Sequence, residues 1–222
     1  MLPPEDWDWL GGLLTTDVDH LLIGTSLPFL LPTGLHHLEG WNEAVCDGVW
    51  GRWAAGAAER LRQGLDVEHW AAFQRSFVAL AELVIRVATG RSGRGPASIV
   101  FLSGDVHYSY LAEARPAARA SAPVSPIYQA VCSPIRNPMS RFLRWCSIAA
   151  SFGVAGLLGR MLSATTRLPA SPLEWRVRYR PRFENAVAVL DLDGRRGTLR
   201  WLAADQNDPR AALRELDEIR LA

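Results

Sequence analysis

The chain has 222 residues, 49% hydrophobic and 21% charged, which is enough apolar material for one buried core and too much for a disordered or collagen-like polymer. Its 24 basic and 23 acidic groups leave a net charge of +1, so no broad field favours nucleic acid or an anionic membrane surface. All 24 basic residues are Arg; with no Lys, amine-nucleophile chemistry is excluded and any basic contact to phosphate falls to Arg.

Cys46, Cys132 and Cys146 are odd in number, far apart and lack a C-x-x-C pair, so they read as packing residues in a reducing compartment. Met1 to Leu10 carry acids and prolines where an export signal carries a basic flank and an apolar run. In chain order, Glu5 to Leu14 predicts a short helix and Asp19 to Thr25 a buried strand stopped by Ser26-Leu27-Pro28. Leu35 to Val45 and Trp53 to Leu61 predict two helices around the turn Cys46-Asp47-Gly48. Asp66 is placed to cap a long helix through Ala88, with Phe73, Phe77, Leu80, Val84 and Val87 on its core face. Ser98 to Ser103 (SIVFLS) reads as a buried central strand, followed by strands at Tyr108 to Ala114 and Ile127 to Cys132.

Arg141 to Leu162 reads as a helix. Its weakly charged core, Trp145 to Gly159, falls short of the ~18 apolar residues of a spanning segment, so a buried or groove-covering helix is expected, with an interfacial helix flanked by Arg141, Arg144 and Arg160 as the lesser alternative. The end is an antiparallel meander: Glu174 to Arg180, Ala186 to Leu192 and Thr198 to Ala203, with Asp193-Gly194 as a hairpin turn. Asp208-Pro209 then caps a final amphipathic helix, Arg210 to Leu221. Strands interleaved with helices and finishing antiparallel give a mixed α/β domain.

The chemistry concentrates in Phe101 to Tyr110, FLSGDVHYSY. A buried strand ending in Gly104 delivers Asp105 and His107 to the carboxyl end of a sheet, where open α/β folds place ligands. In extended chain, residues two apart project to one side, so a carboxylate and an imidazole there converge on one cation or one water. The pair suits Zn, Mn or Fe better than soft copper, though two donors do not define a metal. The same residues also fit a turn-capping Asp and a satisfied histidine.

The strand with Gly-Asp-Val-His, preceded by DVEHWAAFQRSF (Asp66, His69, Trp70, Phe73, Arg75) and by LIGTSLP (Leu22 to Pro28), resembles the C-terminal half of a PhoD-type alkaline phosphatase. That family belongs to the calcineurin-like metallophosphoesterases. The similarity runs from Trp9-Leu10 through RFENAVAVLDLD (Arg182 to Asp193). It implies an α/β/β/α sandwich with two metal ions that bind phosphate-ester oxygens and activate a water; whether they are Fe, Ca, Mn or Zn is open. On this resemblance Asp105 is a metal ligand, and His107 ligates metal or contacts phosphate as a catalytic residue. Val106 replaces a basic residue of some members, and Ser26 stands where many put a ligating His, so it is not assigned metal.

The family's early D-x-H, G-D-x-x-Y and G-N-H-[D/E] signatures do not precede Trp9. Residues 1–222 therefore read as one partial domain of a longer enzyme, inactive alone, whose implied partner is the N-terminal half of the same domain and whose substrate is a small phosphate ester. Its localisation is cytoplasmic if Met1 is the true start and exported if a signal peptide lies upstream. Such a chain is expected to expose a sheet edge and part of its core. The rival is a non-catalytic remnant or interaction module that keeps the scaffold.

Other positions carry less. Adjacent His36 and His37 on a helix point about 100° apart and do not share one ion; with Glu39 they read as surface or capping residues, the alternative being that one side chain reaches the active-site rim. Arg136 in SPIRNP reads either as a bidentate phosphate clamp, with Asn137 donating its amide, or as an exposed Arg on a rigid turn. The six Trp between Trp7 and Trp70 read as core, without the basic stripe that nucleic-acid stacking needs. Cys46 has no paired base, and Ser103 is too close along the strand to form a triad with Asp105 and His107.

Overall fold

The computed structural model describes residues 3–14, 17–65, 69–118, 124–133, 154–166, 168, 170–178, 181–204 and 212–222. In chain order the elements are α1 (Pro4–Leu13), β1 (His20–Gly24), α2 (Thr33–Cys46), α3 (Arg52–Leu65), a 3-10 turn (Trp70–Ala72), α4 (Gln74–Ala88), β2 (Ser98–Ser103), β3 (Tyr110–Pro116) and β4 (Ile127–Val131). These are followed by α5 (Val154–Thr165), β5 (Leu173–Val177), β6 (Ala186–Asp193), β7 (Arg196–Ala203) and β8 (Arg214–Arg220).

Local chemistry accounts for many of these bounds. Pro4 starts α1 with its fixed φ, and Glu5 and Asp6 occupy the first turn, where the helix dipole favours acids. Asp193 pairs with Arg196, leaving Gly194-Arg195 as a two-residue hairpin loop with Gly194 at φ 54°. Along α4, Phe77, Leu80, Ala81, Val84, Val87 and Ala88 are buried on one helical stripe.

Five strands form a mixed sheet in the order β1-β2-β4-β3-β5. The first three run parallel, in register Ile99 opposite Leu21 and Ile127, and β3 runs antiparallel to both β4 and β5. Because side chains alternate across a strand, β2 feeds two cores. Ile99 and Phe101 join Phe29, Phe77, Leu80 and Val84 beneath the helices, where the Phe29 ring stacks on Phe77 at 4.7 Å and on Phe101 at 4.6 Å. Val100 faces the other way, onto Leu199, Trp201, Ile219 and Leu221 of the antiparallel β6-β7-β8 sheet and its C-terminal flank. The order across the molecule is helices, five-stranded sheet, three-stranded sheet.

The long helix expected from Asp66 to Ala88 is broken. Phe73, at φ −135° and ψ 63°, separates the 3-10 turn from α4, and Asp66 lies outside the described residues. The start of α4 is capped from α2 instead: both Glu43 carboxylate oxygens accept the Gln74 N–H at 3.1 Å. Burial pushes the Glu43 carboxyl up to about 7, against the opposing pull of that hydrogen bond.

The final helix expected over Arg210 to Leu221 is also overturned, since Arg214–Arg220 forms β8. Leu216 and Ile219 fit a helical period, but Ile219 and Leu221 are the buried pair and they sit at strand spacing. Pairing with β7 satisfies that strand's second edge and lays both side chains on the intersheet core, while Arg182 reaches Asp217 at 3.0 Å. Of the helix expected over Arg141 to Leu162, the described part is Val154–Thr165. β1 lies at one edge of the five-stranded sheet, beside an apolar groove of about 620 Å³ lined by Trp9, Leu10, Ile23 and Trp70.

Candidate functional site

The parallel strands β1, β2 and β4 end together, and backbone hydrogen bonds tie their exits. The Thr25 N–H donates to Leu102 O at 2.9 Å, the Cys132 N–H to Ser103 O at 3.0 Å, and the Gly104 N–H to Ser26 O at 3.4 Å. At Gly104 a Cβ would lie 3.3 Å from the Cys132 carbonyl, so a residue without one lets the two exits close up.

Beyond Ser103 the chain does not stay extended. Asp105 and His107 both adopt left-handed backbone, at φ 59° and 58°, and among the described residues they are the non-glycine positions that do so. Sequence reasoning brought these two side chains together through strand alternation, and that geometry is corrected here. Val106 between them is buried against Tyr108, Tyr110 and Val131, while Asp105 and His107 are exposed. The loop is fixed from β4: the His107 N–H donates to Ser133 Oγ at 3.3 Å, the Ser109 hydroxyl donates to Ser133 O at 3.2 Å, and the Ser133 N–H donates to Ser109 Oγ at 3.2 Å. A carboxylate and an imidazole are thus presented to solvent on a constrained loop at the carboxyl end of three parallel strands. Arg136 and Asn137 lie outside the described residues.

The α2 histidines differ from expectation. His36 is no surface residue: it is 4% exposed, its ring 4.6 Å from both Phe77 and Trp175. Burial, with a smaller push from His37, lowers its pKa to about 3, so it is neutral in the fold. Glu39, only 6% exposed, takes His69 Nδ1 at 2.9 Å from its Oε1. Nearby in the core, the Tyr110 hydroxyl donates to Leu30 O at 2.8 Å, and burial raises that phenol well above its ordinary value.

Sequence reasoning missed Gln129, a fully buried amide on β4. Its Oε1 accepts the N–H groups of Phe29 and Leu30 at 2.8 and 3.2 Å, and its Nε2 donates to Ser103 Oγ at 3.0 Å. It pins the segment after β1 beneath the strand tips. The available signal was one amide inside the apolar strand IYQAV.

Among the described residues, no three His, Cys, Asp or Glu side chains come together as a metal-binding group, and no helix is long and apolar enough to cross a membrane. Cys46 and Cys132 are free, and burial raises both thiols, so neither is an activated nucleophile. Comparisons with protein-family models, curated proteins and solved structures return no match. The functional reading therefore rests on the residues and their geometry.

Proposed function

We propose that this chain carries the late metal-binding loop of a metal-dependent phosphoric ester hydrolase resembling the PhoD-type phosphatases, with Asp105 and His107 as its ligands. The observation that carries the reading is the left-handed backbone at both residues. Such conformations cost about 1–2 kcal/mol per non-glycine residue and cluster where function holds side chains in place. The donors fit the group: one carboxylate oxygen and one imidazole nitrogen, solvent-facing, suit Zn, Mn or Fe. The layer order of helices, mixed sheet and second sheet corresponds to three of the four layers of an α/β/β/α sandwich; a second helical layer is not among the described elements.

When bound, paired cations supply charge for the entering and leaving oxygens and lower the pKa of a water. The protein's part is to hold donors at fixed separation. Val106 anchors the loop in the core, and the Ser133 and Ser109 hydrogen bonds set the direction in which His107 leaves it. His107, exposed at the rim, contacts the ester; Arg136 and Asn137 are proposed phosphate contacts. Two donors do not complete a dinuclear centre, so the remaining ligands belong, on this reading, to the N-terminal half of the same domain.

Metal analysis and aryl-phosphate hydrolysis test this on the protein with its in-frame upstream sequence. Asp105→Asn and His107→Ala are each expected to lower turnover at least about a hundredfold, roughly 2.7 kcal/mol, with loss of bound metal. Unchanged turnover in both variants rejects the roles. The second reading is a non-catalytic remnant or interaction module that keeps the scaffold. That reading expects a folded protein with neither metal nor hydrolysis in the wild type.

A further inference from the structure

α2, α5, the start of α4 and the segment before β5 border a half-open cavity of about 190 Å³. This is about six times one water's share of liquid volume, room for a small ion and its contacts but not for a nucleotide. His37 and Arg160 line it together, with Ser163, Ser171 and Gln74 at its sides. The close approach of α5 to α2 sets this up: a Cβ at Gly159 would meet Gly34 O at 2.8 Å and His37 Cβ at 3.3 Å. Gly159 therefore lets the next residue, Arg160, stand beside His37.

No acidic side chain lines the cavity among the described residues. Burial and then the Arg160 guanidinium hold His37 below its ordinary value, so a neutral imidazole lies beside a fixed positive charge in a half-open pocket. His36, also in the lining and neutral, has a buried Nδ1 with no hydrogen-bond partner. Gln74 Nε2 donates one hydrogen to Ala71 O at 2.7 Å and keeps the other. A Cβ at Gly40 would sit 2.8 Å from that amide nitrogen, so this glycine makes space for it.

We propose that this cavity binds a tetrahedral oxyanion of the phosphate class, clamped by Arg160 and His37 with Ser163 and Gln74 as neutral donors. A guanidinium offers paired N–H groups to such an oxyanion, and the anion's charge favours the protonated imidazole that burial and the guanidinium disfavour. The site shares no lining residue with the Asp105–His107 loop and does not depend on the phosphoesterase reading.

Linkage supplies a distinctive readout. A bound anion raises the pKa of His37, so binding takes up a proton and affinity rises as pH falls. Among the described residues, the groups facing His37 are Arg160 from α5, His36 on its own helix, Gln74 from α4, and Leu168, Ala170 and Ser171 before β5, and none of these is acidic.

Isothermal titration with sodium sulfate at neutral pH, in two buffers of different ionisation enthalpy, tests the proposal; sulfate has no proton to exchange there. The wild type is expected to bind saturably with proton uptake, and inorganic phosphate to compete. Arg160→Ala, at an exposed position whose fold is checked by melting, is expected to weaken binding at least tenfold. His37→Asn is expected to bind more weakly without proton uptake, and Asp105→Asn to bind as wild type. Absence of saturable binding overturns the proposal, as do Arg160→Ala and His37→Asn titrating like wild type. Binding lost in Asp105→Asn but kept in Arg160→Ala also overturns it and assigns the anion to the strand tip, leaving the phosphoesterase reading standing.

Discussion

Asp105 and His107 carry a backbone conformation that glycine adopts at little cost, and that difference is measurable. Asp105→Gly is expected to stabilise the fold by about 1 kcal/mol in urea denaturation while removing a proposed ligand; a clear loss of stability would show that the turn is not strained. His36 provides the second residue-level test. Its pKa falls from 6.5 in the unfolded chain to about 3 in the fold, so its contribution is fully present above pH 6.5 and lost as pH drops toward 3. Melting curves between pH 7 and 4 are expected to fall more steeply for wild type than for His36→Leu. The residue types at 105 and 107 were legible in Gly-Asp-Val-His, but their backbone was not. It depends on Val106 packing against β3 and β4 and on Ser133, which lies 26 residues further along the chain from His107.

At the scale of elements, one buried amide organises the approach to the strand tips. Gln129→Leu leaves the N–H groups of Phe29 and Leu30 without their acceptor, and a loss of about 2–4 kcal/mol is expected by urea denaturation. A change under about 0.5 kcal/mol would mean water replaces the amide. Most helices and strands followed from local pattern, because Ser98–Ser103 has too short an apolar run for a helix and Gln74–Ala88 too regular a stripe for a strand. The failures arose where the deciding partner is remote. Glu43 on α2 caps α4, making the expected continuous helix unnecessary, and β7 recruits Arg214–Arg220 as a strand despite its helical period.

Across the whole molecule, the two sheets hold each other through few large side chains, so the C-terminal segment matters beyond its length. Leu221, 1% exposed against the intersheet core, is expected to cost about 2–5 kcal/mol when changed to Ala, read as a shift of the single urea transition. A separate early transition of the β6-β7-β8 sheet would show that the layers unfold independently. By itself the sequence determined what acts over a few residues: helical and strand periods, the Asp193-Gly194 turn, an all-Arg basic complement and a Gly-Asp-x-His after a buried strand. The tertiary structure alone decided the strand order, the burial of His36, the left-handed loop at 105–107 and the strand fate of the C-terminus. Each of those depends on a partner distant in the chain, and packing against that partner outweighs the few tenths of a kcal/mol by which local propensity prefers one conformation.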